Sequence, residues 1–155
     1  MVDLTVLPGL GIPTLGVEIG MDFSVAESAL EGFPGWKAPR VDERRNRGFF
    51  HYEPSELSVQ LIESNEEKVQ AIEIYRPEAD IRVLCKGIPV FEESAESTIR
   101  ALSSSENPVV EDEGIRYVFP GLGIAFDRSV VPWEAFDGEG VHFESMIVSE
   151  SGYFQ

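Results

Sequence analysis

The sequence predicts an α+β domain. Two short amphipathic helical segments are each followed by segments that alternate apolar and polar residues, and this order of elements recurs halfway along the chain. Together these observations give two β-α-β-β-β units, at residues 10–77 and 78–155, with short helices packed on antiparallel sheet. A chain of 155 residues suits one domain, here 1–155, with two halves sharing a core.

In the first half, Val17-Glu18-Ile19-Gly20-Met21 leads into Asp22-Phe23-Ser24-Val25-Ala26-Glu27-Ser28-Ala29-Leu30. Ser24 followed by Glu27 reads as a capping box, which satisfies free amide donors at a helix start. Val25, Ala26, Ala29 and Leu30 make its apolar stripe, and Gly32 ends it. Phe49 to Tyr52 reads as a strand that reaches Pro54. Leu57-Ser58-Val59-Gln60-Leu61 alternates as a half-buried strand should. After a polar turn from Glu63 to Lys68, Val69, Ile72 and Ile74 mark the next strand, with Ala71 disturbing the alternation.

The second half follows the same plan. Ile81-Arg82-Val83-Leu84 begins it, Gly87 and Pro89 lead on, and Ser94 caps a helix striped by Ala95, Ile99 and Leu102. Ile115 to Phe119 reaches Pro120, Leu122 to Phe126 alternates, and Val141 to Val148 forms the last strand after a longer loop. Leu57-Ser58-Val59 thus answers Leu122-Gly123-Ile124, and Ile72-Glu73-Ile74 answers Met146-Ile147-Val148. One literal repeat, Pro8-Gly9-Leu10-Gly11-Ile12 and Pro120-Gly121-Leu122-Gly123-Ile124, has unmatched flanks, and its second copy sits inside a hairpin. It reads as coincidence.

Composition limits the function. Twenty-eight acids against 12 bases give a formal charge of −16. That field repels nucleic-acid phosphates, which need clustered Lys and Arg; the one basic knot, Arg44, Arg45 and Arg47, is offset by Asp42 and Glu43. A basic protein partner is the natural counterpart, since opposite charge speeds encounter, while the plainer reading is that the charge maintains solubility. Cys85 has no second cysteine to pair with. Prolines and glycines interrupt the N-terminal apolar run, and no stretch approaches a membrane span. The expectation is a soluble cytoplasmic protein, with no nucleic acid and no membrane among its partners.

Ile19-Gly20-Met21-Asp22, the helix, then Leu30-Glu31-Gly32 resembles the opening motif of the BamE (SmpA/OmlA) family: glycine, methionine, a capping residue, a short helix, leucine and glycine. Asp22 takes the capping place, Ala26 stands for the usual valine, and Gly32 comes one residue late. A tandem pair of such units resembles the beta-lactamase inhibitor protein architecture. The chain is also similar to hypothetical actinobacterial proteins with a Pro-Gly-x-Gly opening, a Leu-Gly-Met helix start and a closing Gly-Tyr. The resemblance implies a scaffold that grips other proteins. The BamE family's lipidated cysteine and outer-membrane role do not carry over, because this sequence has no lipobox.

Candidate chemistry is thin. His51 with Glu53, and His142 with Glu144, could hold zinc if their strands were neighbours; alternation puts each pair on one strand face, as surface strands commonly do. No serine sits in a Gly-x-Ser-x-Gly elbow. Lys86 beside Cys85 could activate the thiol, but no histidine is placed to help. The clusters Glu63/Glu66/Glu67, Glu92/Glu93/Glu96 and Glu111/Asp112/Glu113 read as solvated faces. Neither catalytic residues, nor a cofactor, nor a metal is expected. The aromatic loops Phe33-Pro34-Gly35-Trp36 and Val131-Pro132-Trp133-Glu134-Ala135-Phe136 carry the partner-binding expectation, on Phe33, Trp36, Trp133, Glu134 and Phe136; the plainer reading folds both loops back over the core.

The expectation is therefore a non-enzymatic protein-binding module of bacterial immunity or inhibitor type. Its alternatives are a small-ligand or hydrolytic domain with a site around His51 or His142, and a self-associating structural domain. Sequence alone assigns neither the partner's identity nor the oligomeric state.

Overall fold

A computed structural model describes residues 1–40, 47–132 and 138–154 of the chain. In chain order its elements are β1 (Val2–Val6), β2 (Gly11–Ile12), β3 (Val17–Glu18), α1 (Phe23–Glu31), β4 (Phe49–Tyr52), β5 (Leu57–Glu63), β6 (Val69–Tyr75), β7 (Ile81–Cys85), β8 (Ile88–Pro89), α2 (Ala95–Leu102), β9 (Val109–Glu111), β10 (Arg116–Phe119), β11 (Ile124–Asp127) and β12 (Ser145–Ser149). Over the described residues the chain is α+β, with two α-helices and mostly antiparallel sheet.

The alternating segments pair into one seven-stranded antiparallel sheet of order β4-β5-β6-β12-β11-β10-β9. The meander β4-β5-β6 from the first half meets the meander β10-β11-β12 from the second through β6 and β12, in register from Tyr75 opposite Ser145 to Ala71 opposite Ser149. A separate sheet joins the chain's first strand to its middle: β1 runs parallel to β7, with Leu4 opposite Val83 and Val6 opposite Cys85, all four buried. Their solvent-side partners, Asp3 and Arg82, form a two-pronged ion pair at 3.1 and 3.0 Å. β1 falls within a segment that the sequence reading leaves without a strand, so the first unit cannot start at residue 10 if it includes β1.

Period two along each strand sorts side chains onto opposite faces. One face presents Phe50, Val59, Ile74, Met146, Phe126 and Tyr117 in a row across six strands. Leu61, Ile72, Val148, Ile124 and Phe119 make the next row. Burying each of the larger apolar side chains contributes roughly 1.5–3 kcal/mol. Both helices close over this face: α1 adds Phe23, Ala26 and Leu30 to the core, and α2 adds Ala95 and Leu102. Tyr52 fixes the α1 contact by donating its hydroxyl to the Leu30 carbonyl at 2.5 Å.

Several local expectations are corrected. Ser24 lies inside α1 and caps nothing; the N-cap is Asp22, whose carboxylate is engaged by Lys68. The helix start is instead satisfied from the β5–β6 turn, where the Glu67 carbonyl accepts from the Phe23 amide at 2.9 Å. Val25 is 53% exposed, and Phe23 takes its expected place in the stripe. On α2, Ser94 does cap, accepting from the Ser97 amide at 3.1 Å. The last strand starts at Ser145 rather than Val141, because Val141 turns to accept from the Ala95 amide at the head of α2. The identical pentapeptides adopt different backbones: Gly9 has φ +72° where its counterpart Gly121 has no positive φ. They nonetheless meet, since a Cβ on Gly123 would lie 3.2 Å from Gly9 Cα and 2.4 Å from the Ser149 carbonyl oxygen.

Arg128, which the sequence reading passes over, ties the second half together. Only 3% exposed, it donates to the Gly114 carbonyl at 2.8 Å, the Gly140 carbonyl at 2.9 Å and Glu96 Oε1 at 3.0 Å, with its guanidinium over the Tyr117 ring. Arg128→Met leaves two buried carbonyls without donors, and we expect a loss of about 2–4 kcal/mol in urea unfolding. Glu96 is half exposed, so Glu96→Gln should lose less than about 1 kcal/mol.

Candidate functional site

With both helices on one face, the other face of the large sheet carries the side chains that alternation sends outward. Register places Phe49, Gln60, Glu73, Ile147, Ala125, Val118 and Val109 in one row across all seven strands. His51, Ser58, Tyr75, Ser145, Asp127, Arg116 and Glu111 make the adjacent row. The two halves of this face differ in access. Around β11 and β12, Ala125, Ile147 and Val118 are buried, along with Ala71 on β6, as an apolar cluster apart from the main core. Across β4, β5 and β6, Phe49, Ser58, Gln60, Ile62 and Glu73 are half-buried and Tyr75 is exposed.

Several polar groups on this face are paired. Tyr75 donates its hydroxyl to Glu73 at 2.6 Å. Burial first, and then the Glu73 carboxylate, push the Tyr75 phenol up to about 12, so it stays a neutral donor. Arg116 grips Asp127 with two hydrogen bonds at 2.7 and 3.2 Å directly across β10 and β11. What the arrangement offers is an array of fixed donors, acceptors and two accessible aromatic rings.

The two histidines do not come together, since β5 and β6 lie between β4 and β12. His142 lies before β12 with its Nδ1 at 2.9 Å from the Glu93 carbonyl, and Glu144 accepts instead from the Ser129 amide at 2.6 Å. His51 gains a partner that the sequence reading misses. Its Nε2 lies 2.9 Å from Glu56 Oε2, and its Nδ1 lies 2.8 Å from the hydroxyl of Ser58, its cross-strand neighbour. Glu56 follows Pro54 in the hairpin turn, where strand periodicity no longer says which way a side chain points; only the folded turn brings it back to His51.

Of the aromatic residues expected to bind a partner, Phe33 and Trp36 are half-buried and pack on the core. Phe33 meets Tyr52 edge-on at 5.5 Å, and Trp36 bridges to Tyr52 beside the β4 edge. Trp133, Glu134 and Phe136 lie outside the described residues. The acidic clusters split between solvent and structure: Glu63 accepts from Arg47 at 2.7 Å, Glu96 serves Arg128, and Glu111, Asp112 and Glu113 are exposed.

Cys85 is buried at the end of β7, and burial pushes its thiol up to about 11 against the small opposing pull of Lys86, whose ammonium reaches Ser105 instead. A thiol held above its unfolded value favours the native state only while the unfolded thiol is also protonated. Its contribution is therefore full below about pH 8.5 and fades as pH rises towards 11, by on the order of 2–3 kcal/mol. Urea midpoints measured between pH 8 and 11 should fall accordingly and fall less in Cys85→Ala, and thiol reagents at neutral pH should label only unfolded protein. No family model, curated protein or solved structure matches the chain.

Proposed function

We propose that the chain is a non-enzymatic protein-binding module made of two divergent β-α-β-β-β units, which docks a basic partner on the helix-free face of its seven-stranded sheet. In its specific form the proposal is a bacterial immunity or inhibitor-type protein that acts in the cytoplasm by occluding a toxin or enzyme. The observation that carries it is the accessible strip on β4, β5 and β6. There Phe49 and Tyr75 stand as aromatic anchors among Ser58, Gln60 and Glu73, in a chain of net charge −16. Rigid aromatic rings lose little entropy on contact, and a surrounding carboxylate field steers and selects a cationic surface. The resemblance to inhibitor-type folds agrees with this use of an open sheet, and fold alone does not assign function.

The test is quantitative affinity capture from native lysate at low salt, with the wild type beside a Tyr75→Ala/Glu73→Lys double variant of matched melting temperature. The proposal expects a cationic protein that the wild type retains, that added salt releases, and that the variant loses about tenfold or more, the range of a single interface hot spot. Identical recoveries on both baits, or no specific recovery at low salt, overturn it.

A second reading, self-association, draws on β9. It ends the sheet, and its Val109 and Val110 are each 52% exposed, the kind of edge that pairs with a copy of itself. Charge weighs against it, because two chains of −16 would have to approach with Glu111, Asp112 and Glu113 beside the joint. Light scattering after size exclusion at low salt should therefore give the single-chain mass of 17.2 kDa; twice that mass would favour edge pairing.

A further inference from the structure

We propose that the β4–β5 hairpin holds a binding site for a first-row divalent transition ion, zinc being the reference case, with His51 Nε2, Glu56 and Glu53 as ligands. One ligand atom from each residue lies within 4.8 Å of the other two, the scale of a single ion's coordination shell. Ligands about 2.0–2.2 Å from a tetrahedral ion stand roughly 3.3 Å apart, so the 2.9 Å between His51 Nε2 and Glu56 Oε2 opens by a few tenths of an ångström to admit one. Three protein ligands leave a fourth position for water, as in open zinc sites.

Two further features set this cluster apart from an ordinary surface ion pair. The ring is oriented from behind: Ser58 Oγ, fixed on β5 opposite His51, holds Nδ1 at 2.8 Å and so aims Nε2 at the carboxylates. Outer-shell contacts of this kind fix the orientation of a ligating imidazole. The turn itself is anchored at both ends, since the Glu53 amide donates to the Gly35 carbonyl at 2.9 Å and the Glu56 amide to the Tyr52 carbonyl at 3.0 Å. The ring's side chain is 23% exposed, leaving the site half shielded yet open to entry. A cation already serves it: Lys37 Nζ reaches Glu53 Oε1 at 3.0 Å and must give up that carboxylate when the ion binds. Imidazole with carboxylates selects zinc and its neighbours over magnesium and calcium, which prefer all-oxygen shells.

Isothermal titration with zinc chloride tests this, with magnesium chloride as the contrasting probe. The expected result is one zinc per chain, no heat with magnesium, and affinity reduced about tenfold or more in His51→Ala and in Glu56→Gln. Lys37→Ala, which frees Glu53, should bind more tightly than the wild type, while His142→Ala should bind as the wild type does. Long-range 1H–15N spectra of the imidazoles supply a readout that does not depend on His51→Ala folding: zinc should move the His51 Nε2 resonance and leave His142 in place. Absence of saturable one-to-one binding, undiminished affinity in Glu56→Gln, or a response confined to His142 overturns the proposal. None of these outcomes bears on docking to a basic protein, which is read by Tyr75 and Glu73.

Discussion

The antiparallel pairing of β6 with β12 is the constraint on which the rest of the structure depends. The first half supplies three strands of the sheet, β4-β5-β6, and the second supplies four, β9-β10-β11-β12; apart, each set would leave an inner edge of unpaired amides and carbonyls. Joining Ala71–Tyr75 to Ser145–Ser149 removes both inner edges and carries the core rows from one half of the sheet into the other. A slip of one residue at this joint would turn Met146 and Val148 outward and Ile147 inward, breaking both core rows at their centre. The β1–β7 pairing works to the same end, since it ties the chain's first residues to the start of the second half through buried Leu4, Val6, Val83 and Cys85.

From that joint follows the division of labour between the two faces. The core rows need cover, and α1 and α2 supply it with short stripes that would not hold a helix in water by themselves. Arg128 and Phe143, after β11, are held to the same side, because Phe143 stacks on Phe126 at 5.1 Å and Arg128 binds the Gly114 and Gly140 carbonyls. Gly140 suits that clamp because its φ is +77° and a Cβ would sit 2.0 Å from the Val130 carbonyl oxygen. The helices do not cover the opposite face, which is buried around β11 and β12 and accessible across β4, β5 and β6.

Where a strand obeyed strict alternation, its place was legible. Phe49–Tyr52 forms as read, and Leu57–Leu61 lies within a strand that runs on to Glu63. Ala71 beside Ile72 broke the pattern for a visible reason: the ladder shifts register between Ile62 and Glu63, opposite that end of β6. Elements whose meaning is set by distant contacts were not legible. Val2–Val6 carries a strand pattern, but its partner lies 79 residues on, at Ile81–Cys85, and Pro8 and Gly9 drew attention to the turn instead. Ser24 and Glu27 satisfied a capping rule that the chain does not use, because the Glu67 carbonyl already meets the first amide of α1. The cluster at His51 was half visible: Glu53 is two residues along the strand, whereas Glu56 reaches the ring only through the folded turn. Arg128 gave no signal, since a lone arginine after a strand reads as surface.

The proposed duplication is better argued from roles than from identical letters. Pro8–Ile12 and Pro120–Ile124 match residue for residue, yet one follows the strand that pairs with β7 while the other turns β10 into β11, and their glycines take different φ angles. Segments with little identity hold matching places instead: β1 and β7 pair with each other, α1 and α2 cover one face, and β6 and β12 meet as the last strands that the two halves give the sheet. A fold assembled from two copies keeps the hydrogen-bonding edge and the buried face, because losing either exposes backbone or core. It is free to change every residue that faces water. The sheet's outer face is not such a surface throughout: it is buried and apolar around Val118, Ala125 and Ile147 and accessible around Phe49, Gln60 and Tyr75. Packing fixes the buried half and leaves the side chains of the accessible half free to serve a contact, which directs the search for a partner to β4, β5 and β6.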